Sequence, residues 1–242
     1  MKQHNPLEHF ELHPLIELKL LGIDISVNKA VIMMWIICIL IPALFMFAVR
    51  GRRMIPNRLQ SLVEISVEFL KNMVVENMGK EGLRFFPFIA TLFFFILFCN
   101  LLGIIPGSYT VTSQIIVTAL FAIIVFIISQ IVGLMKHRIR YFKIFVPEGV
   151  PKFILPLIVP IEIVSMFARP LSLSVRLFAN MTAGHTILIV FFTMAISLKY
   201  IGFIPFLVTV PLSGLELFIA FIQAYIFTIL TCVYIGEAIK MH

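Results

Sequence analysis

Charge is scarce in this chain: Asp, Glu, Lys and Arg make up 13% of its 242 residues, while 61% are hydrophobic and the mean hydropathy is +1.08. Apolar runs this long and continuous exclude a soluble globular domain and point to a polytopic membrane protein in contact with lipid. Cysteine is scarce as well. Cys38, Cys99 and Cys232 fall singly in apolar segments, without the spacing of a metal or redox motif, and read as small hydrophobes. No HExxH or GxSxG run is present, so the signatures that would suggest a membrane-embedded enzyme are missing and no cofactor is expected. A self-contained secondary transporter with intramembrane charges remains as an alternative, but the repeated halves expected of one are not found. The first residues lack the basic-then-apolar order of a signal peptide and the Arg-rich, acid-poor character of a transit peptide, so no cleavage is expected.

The net charge of +7 arises from 19 basic and 12 acidic residues. The basic ones cluster at segment ends, so the surplus reports membrane orientation and does not suggest nucleic acid. Residues 1–29 form a polar lead with His4, His9 and His13. His9 and His13 stand four apart, as two metal ligands on one helix face would, but no third ligand is near and a solvated amphipathic end is expected. The first span is 30–49, about 20 apolar residues, enough to cross ~30 Å of hydrocarbon. It runs into Arg50, Arg52 and Arg53, which places that end inside and the N-terminus outside.

Residues 54–80 read as an amphipathic helix lying in the plane of the inner interface. Leu59, Leu62, Val63, Phe69, Leu70 and Met73 share one face, with Glu64, Glu68 and Lys71 opposite. A second span, 86–105, closes in NLLGIIPG with Asn100, Gly103, Pro106 and Gly107. A third, 113–135, places Gln114, Thr118 and Ser129 on one face as interhelical glue. The basic run KHRIRYFK opens an inner loop, 136–152, in agreement with the flank of the first span.

Residues 153–198 are almost unbroken apolar sequence, either two spans with a reversal near Arg169 to Arg176 or one long tilted helix. The stretch between the arginines lacks the Gly, Asn or Asp of a reversal, and Pro160 and Pro170 are compatible with kinks, which favours one long element. A final long helix over 203–238 completes five crossings.

Arg176, in ARPLSLSVRLFAN, is the residue that most needs a reason. No acidic residue lies within a helical turn or two of it, and a guanidinium near the bilayer centre costs at least ~2.5 kcal/mol. Its partner therefore comes from elsewhere in the chain or from another protein. At 100° per residue, Glu162, Arg169, Ser172 and Asn180 fall within about 40° of Arg176 on one face, and His185 lies about 180° from Arg176 and roughly 14 Å along the axis. On the last helix Glu216, Gln223, Tyr234 and Glu237 share a face. Arg169 reads either as a snorkelling anchor or as part of this stripe. Arg176, with apolar sequence on both sides for several turns, does not fit the anchor reading. Asn180 and Gln223 carry amides able to bridge a helix pair. Glu162, His185 and Glu216 are suited to carrying protons, because burial brings a carboxyl towards the imidazole range, whereas an arginine stays charged.

The motifs NLLGIIP (100–106), RPLSLSVRLFANMTAGH (169–185) and LELFIAFIQAYIFTILTCVYI (215–235), in this order, resemble the a subunit family of the membrane (Fo) sector of F-type ATP synthases, and the similarity covers essentially the whole chain. The resemblance implies an all-α protein of five membrane-crossing helices plus an in-plane amphipathic helix, the last two crossings forming a long tilted hairpin against a ring of c subunits. It implies further partners in the b subunit of the peripheral stalk and other Fo and F1 subunits. Arg176 aligns with the family's essential arginine, Asn180 and Gln223 with residues near it, His185 and Glu216 with an outer half-channel, and Glu162 with an inner one. Arg169, Ser172 and Tyr234 are supporting polar residues. In some relatives the acid and the imidazole stand in exchanged positions. The implied role is a non-catalytic, proton-translocating stator subunit. The implied location is a bacterial inner membrane, with the mitochondrial inner membrane as the alternative.

Overall fold

The computed structural model describes residues 14–16, 19–20, 23–24, 26–50, 57–105, 108–138, 141, 153–198 and 202–240. His4, His9 and His13, Arg52 and Arg53, Pro106 and Gly107, and most of the basic run and the 136–152 loop lie outside the described residues. Within the polar lead, β1 (Pro14–Ile16) pairs antiparallel with β4 (Val27–Asn28), and β2 (Lys19–Leu20) with β3 (Ile23–Asp24). An amphipathic solvated end was the expectation; the short pairings arise where apolar and polar residues alternate with period two through this stretch.

Six helices follow: α1 (Lys29–Val49), α2 (Arg58–Met78), α3 (Phe86–Gly103), α4 (Ile115–His137), α5 (Leu155–Ser197) and α6 (Phe203–Lys240). Five of them, all but α2, are long and apolar enough to cross a membrane. A 43-residue α5 settles the choice left open by the sequence: the segment is one helix, and Pro160 and Pro170 sit inside it without a reversal. Proline is tolerated there because neighbouring helices can re-satisfy the freed backbone groups.

The helices pack around α6, which meets α2, α3, α4 and α5. Its inward face is made of small residues, Ala220, Ala224, Thr228, Thr231, Cys232 and Gly236, all buried. In lipid there is no hydrophobic force between helices, so close backbone approach is what holds such a face. Gly236 shows how close: a Cβ built there would stand 2.8 Å from the Asn77 carbonyl oxygen of α2. Of the five spans α6 is the most enclosed and α3 comes next, with Ile89, Leu92, Phe93, Ile96 and Cys99 buried. By contrast α1 exposes Trp35, Ile39, Met46 and Phe47, as a lipid-facing helix does.

Amphipathic α2 is more divided than its sequence pattern. Val63, Leu70, Met73 and Val74 are buried against the other helices, whereas Leu59, Leu62, Ile65 and Phe69 are exposed. One apolar strip therefore serves the protein and a second is left outside. The helix stops at Gly79, whose φ of 74° is a conformation that favours glycine, and a 3-10 turn (Lys80–Phe85) carries the chain into α3. Polar contacts then gather three helix ends: Lys136 at the end of α4 pairs with Glu81, His137 Nε2 lies 3.3 Å from the Ile239 carbonyl oxygen, and Lys240 Nζ donates to the Asn77 carbonyl at 3.0 Å.

At the other end of the molecule Asn100 is fully buried. Its Nδ2 donates to the Ala220 carbonyl of α6 at 3.2 Å and its Oδ1 accepts from Thr112 at 2.8 Å. This one amide ties α3 to α6 and to the 3-10 turn (Val111–Ser113) that leads into α4. Asn100→Leu leaves the buried Thr112 hydroxyl without that acceptor, an expected cost of about 1–3 kcal/mol, read as a lowered melting temperature in detergent.

Candidate functional site

Helices α5 and α6 run beside each other and carry most of the ionisable residues singled out in the sequence. They fall into two clusters with Arg176 between them. In the first, near the C-terminal half of α5, His185 Nδ1 lies 3.1 Å from Glu216 Oε1 of α6. Glu216 is only 3% exposed, and its Oε2 is buried with no hydrogen-bond partner among the described residues. The other imidazole nitrogen, Nε2, lies 3.3 Å from Thr110 Oγ1, which also donates to the Gly103 carbonyl at 3.3 Å. Gly184, preceding the histidine, faces Glu216: a Cβ there would reach 3.4 Å from Oε1. On the loop behind, Gln114 donates its amide to the Tyr109 hydroxyl. Burial pushes the Tyr109 phenol above its ordinary value and the Gln114 bond draws it back, so the group stays protonated at neutral pH.

The second cluster lies towards the start of α5 and the end of α6. Arg169 pairs with Glu237, and its guanidinium stands 5.5 Å from the centre of the Tyr234 ring, close enough for cation–π attraction. Glu162 lines the same cavity of about 40 Å³, with Ser129, Gln130 and Tyr141 on the opposite wall. That volume holds a water molecule and is bordered by enough polar groups to bond it. Tyr141 donates its hydroxyl to Gln130 Oε1 at 2.7 Å. Burial raises the phenol, with the Arg169 charge and the Gln130 bond opposing, so this tether persists at every pH below the ordinary value of 10.0 and is lost only as pH rises past the raised one.

Between the clusters, Ser172, Arg176 and Asn180 are exposed, while Leu173, Ser174, Leu177 and Met181 on the other side of α5 are buried. Ser174 anchors that side through a 3.2 Å hydroxyl contact with Thr118 of α4. Gln223 is buried on α6. No hydrogen bond joins Arg176 to Asn180 or Gln223, and no acid pairs with it, among the described residues. The single polar stripe expected along α5 is thus divided. Glu162 and Arg169 are half-buried under α4 and α6, whereas Ser172, Arg176 and Asn180 face outwards, because the flanking helices cover only part of so long a helix.

The sequence matches the ATP synthase A chain family over residues 31–236. This chain belongs to that family. ATP synthase subunit a of Rhodospirillum rubrum is 46% identical over 240 residues, covering 99% of this chain and 100% of its own length. The namesake from Magnetococcus marinus is 48% identical over 244 residues, with coverages of 98% and 94%. That of Pelagibacter ubique is 45% identical over 240 residues, 98% of each.

Two parts of this chain's polar architecture are not legible in its sequence. Thr110 sits in a run of short polar residues, SYTVTSQ, with no periodicity to single it out, and meets a histidine 75 positions away. The Arg169–Glu237 pair spans 68 positions. The signal for it was present, since Glu237 had been placed on the α6 face that carries Glu216 and Gln223, but helical phase alone does not say which helix lies opposite.

Proposed function

We propose that this chain is the proton-translocating stator subunit of the Fo sector, offering two offset half-channels to the carboxylates of a c-subunit ring, with Arg176 as the barrier between them. The observation that carries this reading is the separation of the two polar clusters. His185 and Glu216 lie about 14 Å along the helix from Arg176 on one side, and Glu162 about 21 Å away on the other. Neither cluster alone crosses a membrane, and the exposed face between them presents a fixed cation to a neighbour.

In this mechanism a proton enters through the His185–Glu216 cluster, which faces the outer side, and neutralises a ring carboxylate. The neutral group turns into lipid without the penalty of a buried charge. After nearly a full turn it meets the second cluster and loses its proton by way of Glu162. Arg176, charged at any physiological pH, favours the ionised carboxylate and repels a proton that would cross directly. Asn180 and Gln223 flank the arginine, Arg169 and Tyr234 line the exit, and Ser172 lies on the outward face. Such a subunit moves ions and leaves nucleotide chemistry to other parts of the complex. The exposed strip of α2 fits a helix lying in the inner interface, with Arg50 and the basic segment after α4 on the same side. The b subunit and other Fo and F1 subunits complete its partners, and a bacterial inner membrane is its setting.

Purifying the tagged chain in mild detergent and identifying the proteins that accompany it tests this directly. A c ring and peripheral-stalk subunits are expected. A chain that purifies alone and conducts ions by itself in vesicles would overturn the reading in favour of a self-contained transporter.

A further inference from the structure

We propose that Thr110 is a positioning residue for His185, a hydroxyl that reverses its hydrogen bond as the imidazole gains or loses a proton. The inference rests on the reading of His185 and Glu216 as proton carriers. Thr110 Oγ1 stands 3.3 Å from His185 Nε2 and 3.3 Å from the Gly103 carbonyl oxygen. A hydroxyl has one proton and the carbonyl only accepts. When the proton points to Gly103, the contact with Nε2 requires that nitrogen to carry hydrogen. When it points to Nε2, that nitrogen must offer its lone pair.

The other ring nitrogen faces Glu216 Oε1 at 3.1 Å. Two arrangements therefore keep both Thr110 and Glu216 bonded to the ring. In the first, Nε2–H donates to Thr110, Thr110 donates to Gly103, and one further proton is shared between Nδ1 and Oε1. In the second, Thr110 donates to Nε2, and Nδ1–H donates to the Glu216 carboxylate. They differ by one proton, so the pair changes its proton count while Thr110 stays bonded to Nε2 and gives up only its bond to the Gly103 carbonyl in the second. Glu216 of α6 faces the imidazole, and on the loop Tyr109 is engaged by Gln114. Thr110 is held in reach of both acceptors by Gly103, where a Cβ would stand 2.7 Å from Thr110 Cγ2 and 2.8 Å from Oγ1.

The test uses inverted membrane vesicles carrying the whole complex, with ATP-driven proton uptake and passive flow after removal of F1 as readouts. T110V keeps the volume and loses the hydroxyl, and is expected to lower both flows about tenfold, since Nε2 then loses the group that accepts from it in one proton state and donates to it in the other. T110S keeps the hydroxyl and is expected to stay within about twofold of wild type, the ordinary effect of losing one methyl. In an H185A background T110V should cause no further loss, because the two act as one unit. T110A, compared with T110S in the same way, carries the test if the valine variant does not retain its ring. Wild-type flow in T110V, equal losses in T110S and T110V, or a tenfold loss that persists on top of H185A would each overturn the proposal. Failure of the underlying reading has a different mark: H185A and E216Q would then conduct like wild type.

Discussion

Vesicles carrying Arg176→Ala are expected to show no ATP-driven proton uptake above background, while passive proton leak through the membrane sector persists or rises. Two physical effects combine here. On the proposed mechanism the guanidinium draws a proton off each arriving carboxylate, and without it the ring carboxyl would stay neutral and pass unread. On the same proposal it is the obstacle between the two polar clusters, and each proton that slipped past would dissipate about 2.3 kcal/mol per 100 mV. Arg176→Lys is expected to recover only part of the function, because an ammonium taken out of water can surrender its proton whereas a guanidinium does not. ATP-driven uptake at the wild-type rate in the alanine variant would remove Arg176 from the mechanism.

The second large effect is expected at the His185–Glu216 pair. Glu216→Gln preserves shape and one hydrogen bond to the imidazole but ends proton exchange at this position, and proton flow should fall on the order of 10²-fold. The double exchange H185E with E216H restores one carboxylate and one imidazole across the same 3.1 Å contact. It is expected to conduct better than either single change, a non-additivity that only an interacting pair shows. Equal flow in E216Q and wild type would place the proton path elsewhere.

Much of the fold was legible because lipid imposes so few solutions. Apolar runs long enough to cross the bilayer can only be helices, and the missing turn residues between Arg169 and Arg176 correctly argued for one long α5. Periodicity also assigned Ser172, Arg176 and Asn180 to a common side, and these three are exposed together. What periodicity lacked was the identity of the neighbour. Glu162 and Arg169 share the same helical phase as Arg176, yet they lie beneath α4 and α6, since a helix of 43 residues passes through more than one environment. Asn100 read as part of a helix-ending motif, whereas its amide joins three elements. Glu237 found its partner only through the packing of α5 on α6, and Thr110 only through the packing of α5 on the turn before α4; no local pattern encodes a contact across 68 or 75 positions.

The bare flank of α5 also bears on how such a subunit is made. Until a neighbour docks against Ser172, Arg176 and Asn180, a newly inserted hairpin holds an uncompensated cation against hydrocarbon, at a standing cost of at least ~2.5 kcal/mol. A partner that covers this flank removes that cost, so the exposed cation itself favours assembly over the isolated chain.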